Sequence, residues 1–126
     1  MQDGFYKDYA IAADIAGYLI AAFTGENAVA LAANAAAPAA GVTDSVGGKL
    51  SHGLVSVQQS QEADVRFGAP VTMGAPLMAA ADGTGRAVPL VKPASGVSAF
   101  CIGFARRAGQ ADDIGKVLLS PHVVIG

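Results

Sequence analysis

Ala39-Ala40-Gly41-Val42-Thr43-Asp44-Ser45-Val46-Gly47 and Cys101-Ile102-Gly103-Phe104-Ala105-Arg106-Arg107-Ala108-Gly109 decide how this chain is read, because they are two copies of one pattern. Continuing without a gap, Gly53-Leu54-Val55-Ser56-Val57 falls on Gly115-Lys116-Val117-Leu118-Leu119. Gly41/Gly103, Gly47/Gly109, Gly53/Gly115 and Val55/Val117 thus recur at a constant offset of 62 residues. Upstream, Asn27-Ala28-Val29-Ala30-Leu31 matches Arg86-Ala87-Val88-Pro89-Leu90 at an offset of 59, so the second copy carries a longer loop. Two copies are too few for a solenoid, which needs at least three. The repeat predicts a single β domain over 10–126, with pseudo-repeats at about 10–67 and 68–126, preceded by an N-terminal arm over 1–9. Gly41, Gly47, Gly53, Gly103, Gly109 and Gly115 are read as structural turns fixing the strand entries.

Outward from the repeat, the chain reads as short strands and turns. Leu54-Val55-Ser56-Val57-Gln58 and Glu62-Ala63-Asp64-Val65-Arg66-Phe67 alternate as half-buried strands do. Gly68-Ala69-Pro70-Val71 and Gly74-Ala75-Pro76-Leu77 are turn–strand entries in which proline starts a strand without needing its missing N–H. Asp82-Gly83-Thr84-Gly85 is a tight turn, and Pro121–Ile125 a last edge strand. Strands punctuated this often by glycine and proline indicate a mainly β fold, a small barrel or sandwich. Helix propensity favours the alanine-rich Val29–Ala40 stretch, but it lacks large apolar anchors for a helix to bury.

The composition narrows function by what it lacks. The 126 residues suffice for one core, yet much of the apolar content is alanine and there is no tryptophan, so a partner surface is expected to share in the stability. A net charge of −2 with scattered basic residues argues against nucleic acid. The Tyr9–Phe23 stretch is too short and too interrupted for a membrane span, and Asp3 and Asp8 do not suit a signal peptide, which leaves a soluble intracellular product as the expectation. The lone Cys101 lies in an apolar run and reads as a small buried hydrophobe. His52 and His122 have no ligand-spaced companions, and Asp112-Asp113 reads as a solvated turn. Gly83-Thr84-Gly85 lacks the lysine and helix of a phosphate loop, and no serine sits in a nucleophile elbow. No catalytic residue, cofactor or metal is therefore expected. Small residues at low charge suit a protein that lies against other subunits.

The run Gly68-Ala69-Pro70-Val71-Thr72-Met73-Gly74-Ala75-Pro76-Leu77, then Asp82-Gly83-Thr84-Gly85-Arg86-Ala87-Val88-Pro89, then Ile102-Gly103-Phe104-Ala105 and Gly115–Leu119, resembles the capsid cement, or head decoration, proteins of tailed bacteriophages. The resemblance spans about Asp14 to Leu119 and rests on turn punctuation; the alanine-rich Ala33–Ala40 run and the aromatic Phe104 depart from it. It implies a non-enzymatic β-barrel, a homotrimer on the capsid exterior of a virion assembled in the bacterial cytoplasm, with the major capsid protein as partner. It further implies strand and loop for Val29–Gly41, in keeping with the Val29/Val88 match. Phe5, Tyr6, Lys7 and Tyr9 of the arm become the candidate capsid contacts. Another virion component, such as a tail-tube or head-completion subunit, is the alternative, ahead of a small enzyme or carbohydrate-binding module.

Overall fold

A computed structural model of the chain describes residues 6–44, 46–49, 51 and 53–125. All regular structure among them is β: β1 (Tyr6–Ala10), β2 (Ile20–Gly25), β3 (Ala28–Leu31), β4 (Ala39–Thr43), β5 (Leu54–Gln58), β6 (Glu62–Arg66), β7 (Pro76–Ala79), β8 (Ala87–Pro89), β9 (Ser98–Ala105) and β10 (Ile114–Ile125). The first five close into a barrel in the order β1-β3-β2-β4-β5, and the rest form a sheet ordered β6-β10-β9-β7-β8. Adding 5 to each label of the closed first ring gives the second order read in the opposite sense, opened between β6 and β8. In each unit the first strand pairs antiparallel with the last, and the second strand pairs with both the third and the fourth. A parallel contact joins β1 to β3 at Ala10↔Ala28, and its counterpart Phe67↔Ala87 brings the end of β6 to β8.

Residue by residue, Ile20 opposite Val42 and Ala21 opposite Gly41 recur as Pro76 opposite Phe104 and Leu77 opposite Gly103. The sequence offset of 62 therefore holds in β4 and β9. It fails further on. Tyr6 opposite Gln58 recurs as Glu62 opposite Leu118, which sets β10 only 60 residues after β5. The paired bridges Ile15↔Gly48 and Val71↔Gly109 likewise make Gly48, not Gly47, the counterpart of Gly109. Packing bears this out. A Cβ on Gly48 would meet Val55 Cβ at 2.7 Å and Ile11 Cδ1 at 2.9 Å, and one on Gly109 would meet Phe67 Cε2 at 2.6 Å. In the first unit Ile11 and Val55 fill the space; in the second Phe67 and Gly115 do, the larger ring matched by the lost side chain. Volume-conserving exchange of this kind is what a close-packed core tolerates best.

The glycines expected to make turns divide accordingly. Gly41, Gly103 and Gly115 lie inside β4, β9 and β10, not in turns. Gly41 and Gly103 hold φ of +153° and +151°, and a Cβ on them would lie 2.1 Å and 2.0 Å from the carbonyl oxygens of Gln58 and Leu118. They let the neighbouring strand approach. Gly109 sits in a β-bridge, while Gly47 and Gly53 take φ of +70° and +74° in the connection between β4 and β5.

Of the arm expected over 1–9, residues 1–5 lie outside the described residues; residues 6–10 are β1, paired along their length with β5, and Tyr9 is 4% exposed in the barrel interior beside Ile11, Ile15, Val29, Val55 and Val57. Tyr6–Ala10 does not alternate in burial: Lys7 and Asp8 are both exposed, and Tyr9 is its one buried residue. The alanine stretch forms β3, a loop and β4; Asn34 Oδ1 accepts from Ala36 N in that loop.

The two units share one core. Ile20, Ala22, Ala32 and Val42 of the first unit cluster with Val65, Phe67, Leu77, Ile102 and Val117 of the second. Backbone bonds cross the junction from Arg66 N to Tyr18 O, Ile20 N to Gly85 O and Phe100 N to Ala35 O. Gln58, buried where one unit passes into the next, donates to Ser60 O and Glu62 O and accepts from Tyr6 Oη. Thr43, also buried, donates to Ala16 O and accepts from Leu19 N. Buried polar groups satisfied in this way fix the register of a small core.

Candidate interaction surface

The residues a catalytic reading would use are held in structural bonds. Asp112 bridges Arg86 at 2.8 Å and takes φ of +71°, its carbonyl accepting from Arg66 Nη1. Asp113 accepts from Gln110 N, so the Asp112-Asp113 pair secures the turn before β10. Asp82 accepts from both N and Oγ1 of Thr84 in the turn entering β8, and those hydrogen bonds hold its carboxyl below the usual carboxylate range. Cys101 is fully buried in β9. His122 stacks on Phe104 with ring centroids 6.0 Å apart; His52 lies outside the described residues. Among the described residues no group of three or more His, Cys, Asp or Glu is arranged to hold a metal ion, and no helix is long and apolar enough to cross a membrane. An open depression of about 310 Å³ beside Phe67 is lined by Asp64, Arg107, Asp113 and Lys116, with Lys116 and Asp64 ion-paired at 2.8 Å. Its lining carries two carboxylates and two basic groups, of which Lys116 and Asp64 are paired.

Of the expected capsid contacts, the three that are described do not form one exposed patch. Phe5 lies outside the described residues. Tyr9 faces inward and meets Phe23 edge-on at 5.6 Å, Lys7 Nζ lies 5.3 Å from the Tyr9 ring, and Tyr6 is half-buried with its hydroxyl on Gln58. Of the three described, Lys7 is exposed.

Exposed apolar side chains gather instead on the second unit. Phe104 in β9 stands directly opposite Leu118 in β10 and Pro76 in β7, and all three are exposed. Beyond Leu119 the pairing of β10 shifts by a bulge, and the strand runs on with β9 alone, from His122 opposite Cys101 to Ile125 opposite Ser98. The first unit has no such extension: β5 ends at Gln58. Val123 and Ile125 are exposed there, next to an edge that no described strand covers. The sequence placed a strand at Pro121–Ile125 but gave no sign that it continues β10 past Pro121, which the bulge accommodates. Apolar side chains grouped in this way on a monomer's surface mark a place of contact.

No family model and no curated protein matches this sequence. Among solved structures, the fold is similar to the crystal structure of the head fiber gp8.5 N base of bacteriophage phi29. The TM-score is 0.66 at 17% identity, covering 92% of this chain and 93% of that one. At this identity the likeness is one of fold.

Proposed function

We propose that the protein is a structural component of a bacteriophage head, bound to the outer surface of the capsid and cementing neighbouring major capsid subunits, with no enzymatic activity. The observation that carries this reading is the fold shared with the head fiber base across nearly the whole of both chains. The turn pattern Gly68–Leu77 and Asp82–Pro89, which resembles the cement proteins, reaches a phage head surface from sequence alone. Short strands, few charges and a contiguous apolar face suit a subunit whose work is adhesion. In this reading the protein acts as a homotrimer made in the host cytoplasm and carried on the virion exterior. Modest contacts from each protomer sum across several capsid subunits, so avidity replaces individual affinity.

The test is binding to purified, expanded capsids of the parent phage. Saturable binding at a fixed stoichiometry, together with a rise in the temperature at which the particles disrupt, is the expected result. Capsids that neither bind the protein nor gain thermal resistance would sink the proposal.

A further inference from the structure

The duplication supplies an internal control for the open depression beside Phe67. The ladder that sets Asp8 opposite Ser56 in the first unit sets Asp64 opposite Lys116 in the second. The bond from Ile11 N to Gly53 O recurs from Phe67 N to Asp113 O. Counting back two residues from Gly48 and Gly109 places Val46 against Arg107. The wall of the depression therefore carries Arg107, Asp113 and Lys116 at positions that Val46, Gly53 and Ser56 fill in the first unit. The same strands form in both units, so the fold does not require these charges. Nor are they all spent on one another. Lys116 is paired with Asp64, and the nearby Arg66 and Arg86 both hold Asp112. Asp113 accepts from Gln110 N through Oδ2. Among the described residues, no hydrogen bond or ion pair engages Asp113 Oδ1 or the Arg107 guanidinium.

We infer that this depression is a binding site for a sugar acid, a small molecule whose carboxylate stands beside several hydroxyls, held by Arg107 and Asp113. A guanidinium receives a carboxylate through parallel N–H donors, which fixes its orientation as well as its charge. Asp113 Oδ1 repels a bare anion but accepts from a hydroxyl. Together the two groups select an acid that brings its own donors. Gly109 and Gly115 belong to the lining and put backbone, not side chain, against the ligand. A volume of about 310 Å³ lies at the small end of ligand sites, about 300–1,000 Å³, and suits a single sugar ring. The site is built from the second unit alone and does not depend on the capsid assignment.

The experiment is a titration of the purified full chain with sodium glucuronate, followed by backbone-amide NMR at constant ionic strength, with sodium acetate and glucose as separate arms. Glucuronate is expected to shift the amides of Arg107, Gly109 and Gly115 saturably, with a dissociation constant on the order of 1 mM. Acetate lacks the hydroxyls and glucose lacks the carboxylate, so each is expected to bind about tenfold more weakly. Arg107→Ala should weaken glucuronate by a similar factor. Asp113→Asn should weaken glucuronate but not acetate, because it removes the acceptor together with the repulsion. Two variants are used so that a folding failure in one, seen as shifts throughout the spectrum, leaves the other to decide. The inference is overturned if glucuronate gives no saturable shift, if acetate binds as tightly as glucuronate, or if a folded Arg107→Ala binds like wild type.

Discussion

Replacing Gly103 by alanine tests the duplication at its tightest point. The new Cβ would lie 2.0 Å from the Leu118 carbonyl oxygen and 2.9 Å from its carbon, both backbone atoms of the paired strand, at φ of +151°. Holding a non-glycine residue in that part of conformational space costs about 1–3 kcal/mol. Prising β9 from β10 to admit the methyl group adds about 1–3 kcal/mol of overpacking. With an unfolding entropy of about 2.1 cal/mol/K per residue, a chain of 126 residues should lose roughly 8–23 °C in Tm. Gly41→Ala meets the Gln58 carbonyl at 2.1 Å with φ of +153° and should fall in the same range. Gly53→Ala separates the two contributions. Its φ is +74° and nothing lies within 4 Å of the added Cβ, so only a backbone cost of about 1–2 kcal/mol remains, or roughly 4–8 °C. Thermal unfolding by calorimetry reads all three. Should Gly103→Ala melt no lower than Gly53→Ala, the close approach of β9 and β10 is wrong as described. Should Gly41→Ala and Gly103→Ala differ widely, the two units are not equivalent there.

Other expectations follow from single residues. Phe67→Ala empties the hollow beneath Gly109 and Gly115 and should cost about 3–5 kcal/mol in denaturant unfolding, since the ring is fully buried. Gln58→Leu removes the amide donor to Ser60 O and Glu62 O at the junction of the units; a loss of about 1–3 kcal/mol is expected, and a neutral outcome would show that the amide does not secure the crossing. The Asp82 carboxyl, titrated by carbon NMR, should protonate below the ordinary carboxylate range, and Thr84→Val should move it back up. Its pKa is lowered on folding, so its contribution is present above the unfolded value and is lost as pH falls through the folded one. Lys116→Ala breaks an exposed ion pair with Asp64 and should change stability by less than about 1 kcal/mol.

The all-β fold was legible in the spacing of glycine, proline and alternating residues, and so was the existence of two copies. Their exact match was not. Val117 aligns with Val55 in sequence but with Val57 in space, and all three side chains point inward. A strand repeats every two residues, so sliding an alignment by two preserves every inward and outward position, and only the pairing partner reveals the slip. The strand at residues 6–10 was hidden for a related reason: β1 shows one buried residue in five, too few for periodicity to declare a strand. The exposed face was the least legible. Ile20/Val42 and Pro76/Phe104 are equally apolar in the sequence, and which pair is covered depends on how the units sit together.

The pairing of the first strand of each unit with its last bears on how the chain folds as it is synthesised. β1 finds its antiparallel partner only when β5, some 50 residues on, has left the ribosome. The outer face of β2 and β4 must then wait, uncovered, until β9 and β10 are made. Pairings this distant along the chain are slow to form, and apolar surface left open meanwhile invites association with other nascent chains. Expression at lowered temperature, or with chaperones in excess, should therefore raise the soluble yield more than any change to the finished surface.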